Sequence, residues 1–384
     1  MYGPDPSSWK RGAITQARQR LGPEALREVF TYLARPAASS ATPGAWLGRW
    51  RLMAVDGFPL DLPDTEANTA EFGKGHAGRD ESIYPQARVV VISECASHAP
   101  VAADTAGCWA SEQTLAYSLY EHLAPDMLLI ADRGFYGFYA WEQARRSGAE
   151  LLWRVQSPVR LDKLDALPDG SWTAVTVNSR IGLRPGQKEW LRAEARAGRD
   201  PGPEAHIVRV VEYTVPDRDG DPIRLITSIL DPAEATAEEL ARTYHERWEA
   251  ETGIGQLKTH LRGPGRVLRS RTPELAYQEI WAYVPTHWAV SALICDAATA
   301  TRTDPDRFKF LGTLRIVRRS VTDPAAFPPE PHAAITARAL ERIAQPRNRN
   351  PQRRRRSYPR TVKRRHHDSF PERRGPARRN SCTS

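Results

Sequence analysis

The sequence predicts an α/β fold: a mixed sheet flanked by helices, with a strand-rich insertion ahead of a charged helix. Three observations point there. Met127–Ala131 (MLLIA) is a continuous apolar run of the kind that forms a strand buried on both faces. Between residues 46 and 155, strand-like runs give way to helical stretches and then to a returning strand, which suits a sheet covered by helices. From 156 to 232 the segments SWTAVTV, HIVRVVEYTV and IRLITSIL are rich in β-branched residues and broken by Asp-Gly, Arg-Asp-Gly-Asp and proline.

Taken in order, residues 8–36 contain two helical stretches broken at Leu21-Gly22-Pro23, with Leu26, Val29, Phe30 and Leu33 at helical spacing. Strands follow near 50–55, 87–93 and 100–104, then a helix from about Ser111 to Leu123. A strand at 127–131, a helix at 137–147 and a strand at 150–155 (ELLWRV) complete the stretch. In the strand-rich segment Trp172 and Trp190 read as packing residues, because tryptophan bodies usually bury. LARTYHERWEAETGIGQLKTHLRG reads as one helix, with Trp248 and Leu257 on its core face. Gly253 and Gly255 each cost that helix about 1 kcal/mol. The stretch IWAYVPTHWAVSALICDAATA is interrupted by Pro285, His287 and Asp296, so it reads as a buried helix and not a membrane span.

The chain of 384 residues has room for a sizeable core, and its 31 prolines fall mostly in connecting segments. Cys95, Cys108, Cys295 and Cys382 are far apart, which fits reduced thiols of a cytoplasmic protein better than a disulfide framework or a zinc site. The start, MYGPDPSSWKRG, lacks the apolar core of a signal peptide. The net charge of +9 is uneven. Arg347 to Arg379 holds fourteen Lys and Arg against Asp368 and Glu372, a local +12 that leaves −3 for the rest. An arm so poor in apolar residues cannot pack a core, and it suits phosphate neutralisation without sequence recognition.

The chemistry concentrates on one helix face. Tyr244, Arg247, Glu251 and Lys258 have the spacing Y-x2-R-x3-E-x6-K. On a regular helix they would share an arc of about 60°. A carboxylate between a phenol and two cations can handle a phosphate beside a metal ion. The plainer reading is a solvated face with an Arg247–Glu251 pair. Asp56, before Gly57, ends the run Leu52–Val55; Asp132, before Arg133-Gly134, ends Met127–Ala131. Either alone suits a turn or a cap. Together with Glu251 they make a three-carboxylate set suited to a hard divalent cation. A haloacid-type phosphatase would need a second aspartate two residues after Asp56, where Phe58 stands.

The ordered motifs Asp56-Gly57, Asp132-Arg133-Gly134-Phe135 and Tyr244/Arg247/Glu251/Lys258 resemble the DDE transposases of the insertion sequence 4 family, over about Ile14 to Arg365. VLRSRTPE after the helix and the basic RRRRSYPRTVKRR look like that family too. The resemblance implies an RNase H-like core in which Asp56, Asp132 and Glu251 are the catalytic residues and hold two Mg²⁺, or Mn²⁺ as a substitute, about 3.5–4 Å apart. It implies cut-and-paste chemistry: cleavage at transposon ends and transfer of the freed 3′-OH, through a hairpin. Tyr244, Arg247 and Lys258 would grip DNA phosphate; Arg133, directly after Asp132, suits either a DNA-phosphate contact or a carboxylate pair that locks its loop, with Arg154 a further candidate. The partners implied are double-stranded transposon-end and target DNA, bound by a homodimer in the nucleoid-associated cytoplasm, with no membrane. Residues 1–45 would be part of a helical DNA-binding region that begins late, 46–155 the first part of the core, 156–232 the insertion, 233–320 its completion and 321–384 a basic tail. The short N-terminal region leaves a second expectation open, a non-catalytic DNA-binding remnant of such an enzyme.

Overall fold

The computed structural model describes residues 11–77, 80–178, 182, 184–199, 202–214, 222–263, 267–322 and 332–351. It opens on α1 (Arg11–Leu21) and α2 (Glu24–Leu33), parted where Gly22 takes φ 70° and Pro23 follows. Glycine enters the left-handed region without a Cβ penalty, and proline cannot donate the bond that would continue α1.

Eleven strands pair in one sheet: β1 (Trp46–Leu47), β2 (Trp50–Asp61), β3 (Lys74–Ala77), β4 (Asp80–Glu94), β5 (Pro100–Gly107), β6 (Met127–Ala131), β7 (Glu150–Arg154), β8 (Asp162–Ala166), β9 (Trp172–Val177), β10 (Ala205–Tyr213) and β11 (Ile223–Thr227). Their order is β3-β4-β2-β6-β7-β11-β10-β9-β8, with β1 on β2 and β5 on β4. Among the described strands β2–β6 and β6–β7 pair parallel and the others antiparallel, which makes the sheet mixed. The strands of the 156–232 segment continue this same sheet beyond β7 through β11. The helices are α3 (Glu66–Phe72), α4 (Glu112–Leu119), α5 (Phe138–Arg145), α6 (Gln187–Arg196), α7 (Ala237–Tyr244), α8 (Arg247–Gly255), α9 (Pro273–Ala300), α10 (Phe310–Thr322) and α11 (His332–Ala344).

Strand periodicity divides the core. Met53, Val55, Leu129, Ala131, Leu151 and Trp153 face α4 and α5, against Leu115, Leu119 and Trp141. The alternate residues Leu52, Ala54, Leu128, Ile130 and Leu152 face α7 and α8, against Leu240, Tyr244 and Ala250. A third cluster joins Phe58, Leu60, Val89 and Val91 to Leu257 and to Ile280 and Ile294 of α9. That 28-residue helix carries Pro285 in its interior, and among the described residues no helix is long and apolar enough to cross a membrane. Two sequence expectations change. The first strand does not stop at Val55 but runs on to Asp61, and α6 appears in a segment read as strands. Trp190 of α6 is exposed, whereas Trp172 packs against the core.

One buried ion pair fixes where α7 begins. Arg209 of β10 is fully buried and is bonded to Asp169, with Nε on Ser171 Oγ (2.8 Å) and a terminal nitrogen on the Ala235 carbonyl (2.7 Å). Asp169 in turn accepts from the backbone N–H of Ala237, the first residue of α7. Asp169→Ala strands a buried cation and is expected to cost roughly 3–5 kcal/mol in urea unfolding. A loss under about 1 kcal/mol would show that the guanidinium is satisfied without its partner.

The chain divides into a unit Met1–Arg349, which holds all these elements, and a unit Asn350–Ser384, of which only residues 350 and 351 are described. The basic stretch 353–379 lies outside the described residues.

Candidate active site

The register of two parallel strands brings the aspartates together. β2 and β6 pair through Ala54↔Ile130, so two residues further on Asp56 stands level with Asp132 at the carboxyl end of the pair. Asp56 is therefore not a strand-end residue, because β2 continues past it on β4, where Asp56 is opposite Val91. By the same alternation both aspartates lie on the face of Ala54 and Ile130, the one covered by α7 and α8. Carboxyl ends of parallel strands are where open α/β sheets leave space for ligands. Each aspartate folds back on its own loop. Asp56 Oδ1 accepts from Gly57 N–H (2.8 Å), and Asp132 Oδ1 from Gly134 N–H (2.7 Å). A Cβ on Gly134 would lie 3.0 Å from that same oxygen, so a larger residue there would press on the carboxylate.

The helix above does not run unbroken. α7 starts with a capping box, in which Thr236 and Glu239 satisfy each other's backbone N–H groups, and it ends at Tyr244. His245 and Glu246 turn tightly, with Trp248 N–H on His245 O and Glu249 N–H on Glu246 O. Gly253 and Gly255 do not break α8; past Gly255 the chain widens into a π-helical turn, Gln256–Leu261. The expected single helix with four side chains in one regular arc is thus corrected to two helices and a π turn. Trp248 is exposed beneath the Arg247 guanidinium (5.2 Å), and Glu249, Ala250 and Gly253 form the buried face instead.

Tyr244, Arg247 and Glu251 do meet. Arg247 lies 2.8 Å from Glu251 Oε1, and its charge acts on the buried Tyr244 hydroxyl. Tyr244 is buried, the Arg247 side chain only 12% exposed and that of Glu251 41%. The Asp56 carboxyl is pushed up to about 6: burial raises it, Gly57 N–H and Arg247 lower it, and the charges of Glu251 and Asp132 raise it. Asp56, Asp132, Arg247 and Glu251 therefore share one electrostatic neighbourhood. Lys258 is half-buried over the Phe58 ring (5.9 Å), its ammonium lowered by burial and by Arg262 and raised by Asp61 and Asp56. Arg133 is exposed beside Asp132, and Arg154 of β7 acts on Tyr244.

Two features had no motif to announce them. Glu112, the first residue of α4, lies against Gly57, where a Cβ would sit 2.6 Å from its Cγ and Cδ. Burial raises its carboxyl, as does the charge of Asp132. The second is a buried cluster behind α8. His98 Nε2 is 3.1 Å from Glu249 Oε2 and 3.3 Å from Asp306 Oδ1, and Nδ1 is 3.1 Å from the Gln256 amide. These three acid and imidazole groups have the spacing to hold a metal ion, with ligand atoms within 4.8 Å of one another. Burial alone would lower His98, but hydrogen bonds to Asp306 and Glu249 and their charges raise it to about 9. His287, also facing the cluster, is lowered to about 3 by burial and by the charge of His98.

Because the folded value of His98 exceeds its ordinary 6.5, its contribution to stability is complete below pH 6.5 and lost as pH rises through about 9. Unfolding free energy should accordingly fall across that window, and His98→Asn should flatten the fall. An unchanged slope in the variant would mean that His98 is neutral throughout.

The description "Transposase DDE domain" matches residues 50–285. Over 273 residues the chain is 30% identical to "Transposase InsG for insertion sequence element IS4" of Escherichia coli (strain K12), which covers 70% of this chain and 58% of that protein. It is also 30% identical over 128 residues to "Putative transposase InsZ" of the same organism, covering 33% of this chain and 42% of that one. The chain thus spans less than two thirds of the length of these relatives. Among solved structures, a piggyBac transposase synaptic complex with hairpin DNA aligns at a TM-score of 0.43 and 10% identity, over 79% of this chain and 59% of that one, a loose likeness.

Proposed function

The chain belongs to the transposase DDE domain family, and from that premise we propose that it is the transposase of an insertion sequence, cutting and joining DNA at the ends of its own element. Asp56, Asp132 and Glu251 are its catalytic and cation-binding carboxylates. One observation carries this reading: the parallel β2–β6 register sets Asp56 level with Asp132 on the face covered by α8, the helix of Glu251, and the Asp56 carboxyl, raised to about 6 chiefly by burial, also feels the charges of both. Carboxylate oxygens, offset at Asp56 by the charge of Arg247, are the donors that hard divalent ions take, two Mg²⁺ or Mn²⁺ in their place. When bound, these ions supply activation of a water or 3′-hydroxyl and relief of charge at the phosphate.

The rest falls to the chain's own side chains. Arg247 and the Tyr244 hydroxyl, each acting on the other, offer donors to one phosphate, the guanidinium through its planar fork. Lys258, within the field of Asp56, adds a point charge, and the exposed Arg133 a further cation. The buried Tyr244 ring walls the site from the sheet core. The parallel β2–β6 pair bearing both aspartates supports an RNase H-like core of residues 46–155 and 233–320. Residues 156–232 are then an insertion, 1–45 part of a helical DNA-contacting region and 321–384 a basic tail. The partners are double-stranded element ends and target DNA, bound by a homodimer in the nucleoid-associated cytoplasm, and the chemistry is cut-and-paste.

The test is a duplex carrying the terminal repeats that flank the gene. With protein and MgCl₂ it should be nicked to leave a 3′-OH, and EDTA should stop the reaction. Binding without nicking under any divalent cation would favour the non-catalytic remnant. Removing residues 352–384 takes away twelve Lys and Arg against Asp368 and Glu372, and spares Asn348, whose amide bonds Thr313 (3.2 Å). The deletion should flatten the salt dependence of binding, by about 0.9 in log–log slope for each phosphate that the tail no longer neutralises. An unchanged slope would assign the grip to residues before 352.

A further inference from the structure

We propose that His98 is a positioning residue: from the turn between β4 and β5 it clamps the rear of α8 and so fixes where Glu251 points. The proposal rests on the reading of Glu251 given above. Glu249, Gly253 and Gln256 stand at i, i+4 and i+7, one face of a helix. Glu251 follows Glu249 by two residues, about 200° round the axis, so it projects from the opposite side.

All three rear positions meet His98. Its Nε2 bonds Glu249 (3.1 Å), its Nδ1 the Gln256 amide (3.1 Å), and its Cβ would lie 3.2 Å from a Cβ on Gly253. Gly253, costly in a helix, leaves room for the close approach of the His98 Cβ. The same His98 sits at φ 61°, a left-handed conformation uncommon outside glycine though histidine enters it more readily than most residues, and it is only 6% exposed. Strained backbone persists where the surroundings over-determine it, and here the turn, the glycine gap and the two bonds act on one ring. The clamp is braced from behind. Asp306 lies 3.3 Å from Nε2, and the Gln256 amide spans to His287 Nε2 of α9 (3.2 Å). The regular helix widens into its π turn at Gln256, the residue held on both sides.

The test compares the full chain with His98→Asn and His98→Gly. Both substitutions suit the left-handed turn, and neither reaches Glu249 and Gln256 together. Hydrogen exchange of amides 247–257, which needs neither DNA nor a cation, should quicken about tenfold in both variants. Nicking kcat should fall about tenfold or more while the Kd for the duplex holds. Wild-type exchange and kcat in both variants would mean that His98 serves only the turn, and would overturn the clamp. So would a stoichiometric transition metal in chelator-free protein that His98→Asn loses, since the cluster would then be a metal centre. Faster exchange in a protein that never nicks would keep the clamp and sink the transposase reading. Should both variants fail to fold, Gly253→Ala tests the contact from the helix side: about tenfold slower nicking with an unchanged Kd for the duplex is expected, and an unchanged rate overturns the proposal.

Discussion

Asp132→Ala is expected to abolish strand cleavage, by on the order of 10³-fold or more, while the protein still folds and binds DNA. The five residues of β6 are buried and stay so, because Asp132 lies just beyond them, half-buried in the turn. Truncation loses the bond from Gly134 N–H, but the Phe135 N–H to Asp132 carbonyl bond that shapes the turn is backbone and remains. Removing a carboxylate also relieves the mutual repulsion that helps push Asp56 up, so stability should hold or rise slightly. DNA affinity should persist for the same reason, since an anion has been taken from a surface that meets phosphate. Gel shift and single-turnover nicking of the same duplex separate the two. Cleavage within about tenfold of wild type would remove Asp132 from the chemistry.

Arg247→Ala is expected to slow every step on the order of 10²-fold, whereas Lys258→Ala should spare the first nick and slow the later joining. The difference comes from what each cation touches. Arg247 pairs with Glu251, so in the proposed roles its loss both frees the catalytic carboxylate and removes a phosphate donor. Lys258 lies over Phe58 and acts on Asp56 through space, so its loss removes charge but leaves the carboxylates in place. A point charge on the terminal phosphate matters most once the end must be held for a second displacement. Equal losses at each step for both variants would refute this division.

The parallel pair at the centre of the fold is legible in the sequence because burial on both faces writes a continuous apolar run, as at Met127–Ala131. The end of β2 is not, since Asp56 looks like a stop when its pairing with β4 cannot be seen. Helical periodicity reveals the shared face of Tyr244, Arg247 and Glu251, but a wheel assumes constant pitch. The tight turn at His245–Glu246 and the π turn at Gln256 depend on interactions with distant segments. His98 leaves no trace for the same reason. Its partners come from α8, α9 and Asp306, and only the fold joins residues 98, 249, 256, 287 and 306. Gly253 is visible in the sequence as a helix cost without its cause, the imidazole beside it.

Asp56, Asp132 and Glu251 forming one divalent-cation site is the premise on which the whole functional reading stands. Anomalous diffraction from crystals of the full chain soaked in Mn²⁺ examines that premise without any DNA. The expected peaks are bounded by these three carboxylates at the carboxyl ends of β2 and β6, and are lost in Asp132→Ala. Peaks confined to His98, Glu249 and Asp306, or none while Glu251 faces away from both aspartates, would contradict it.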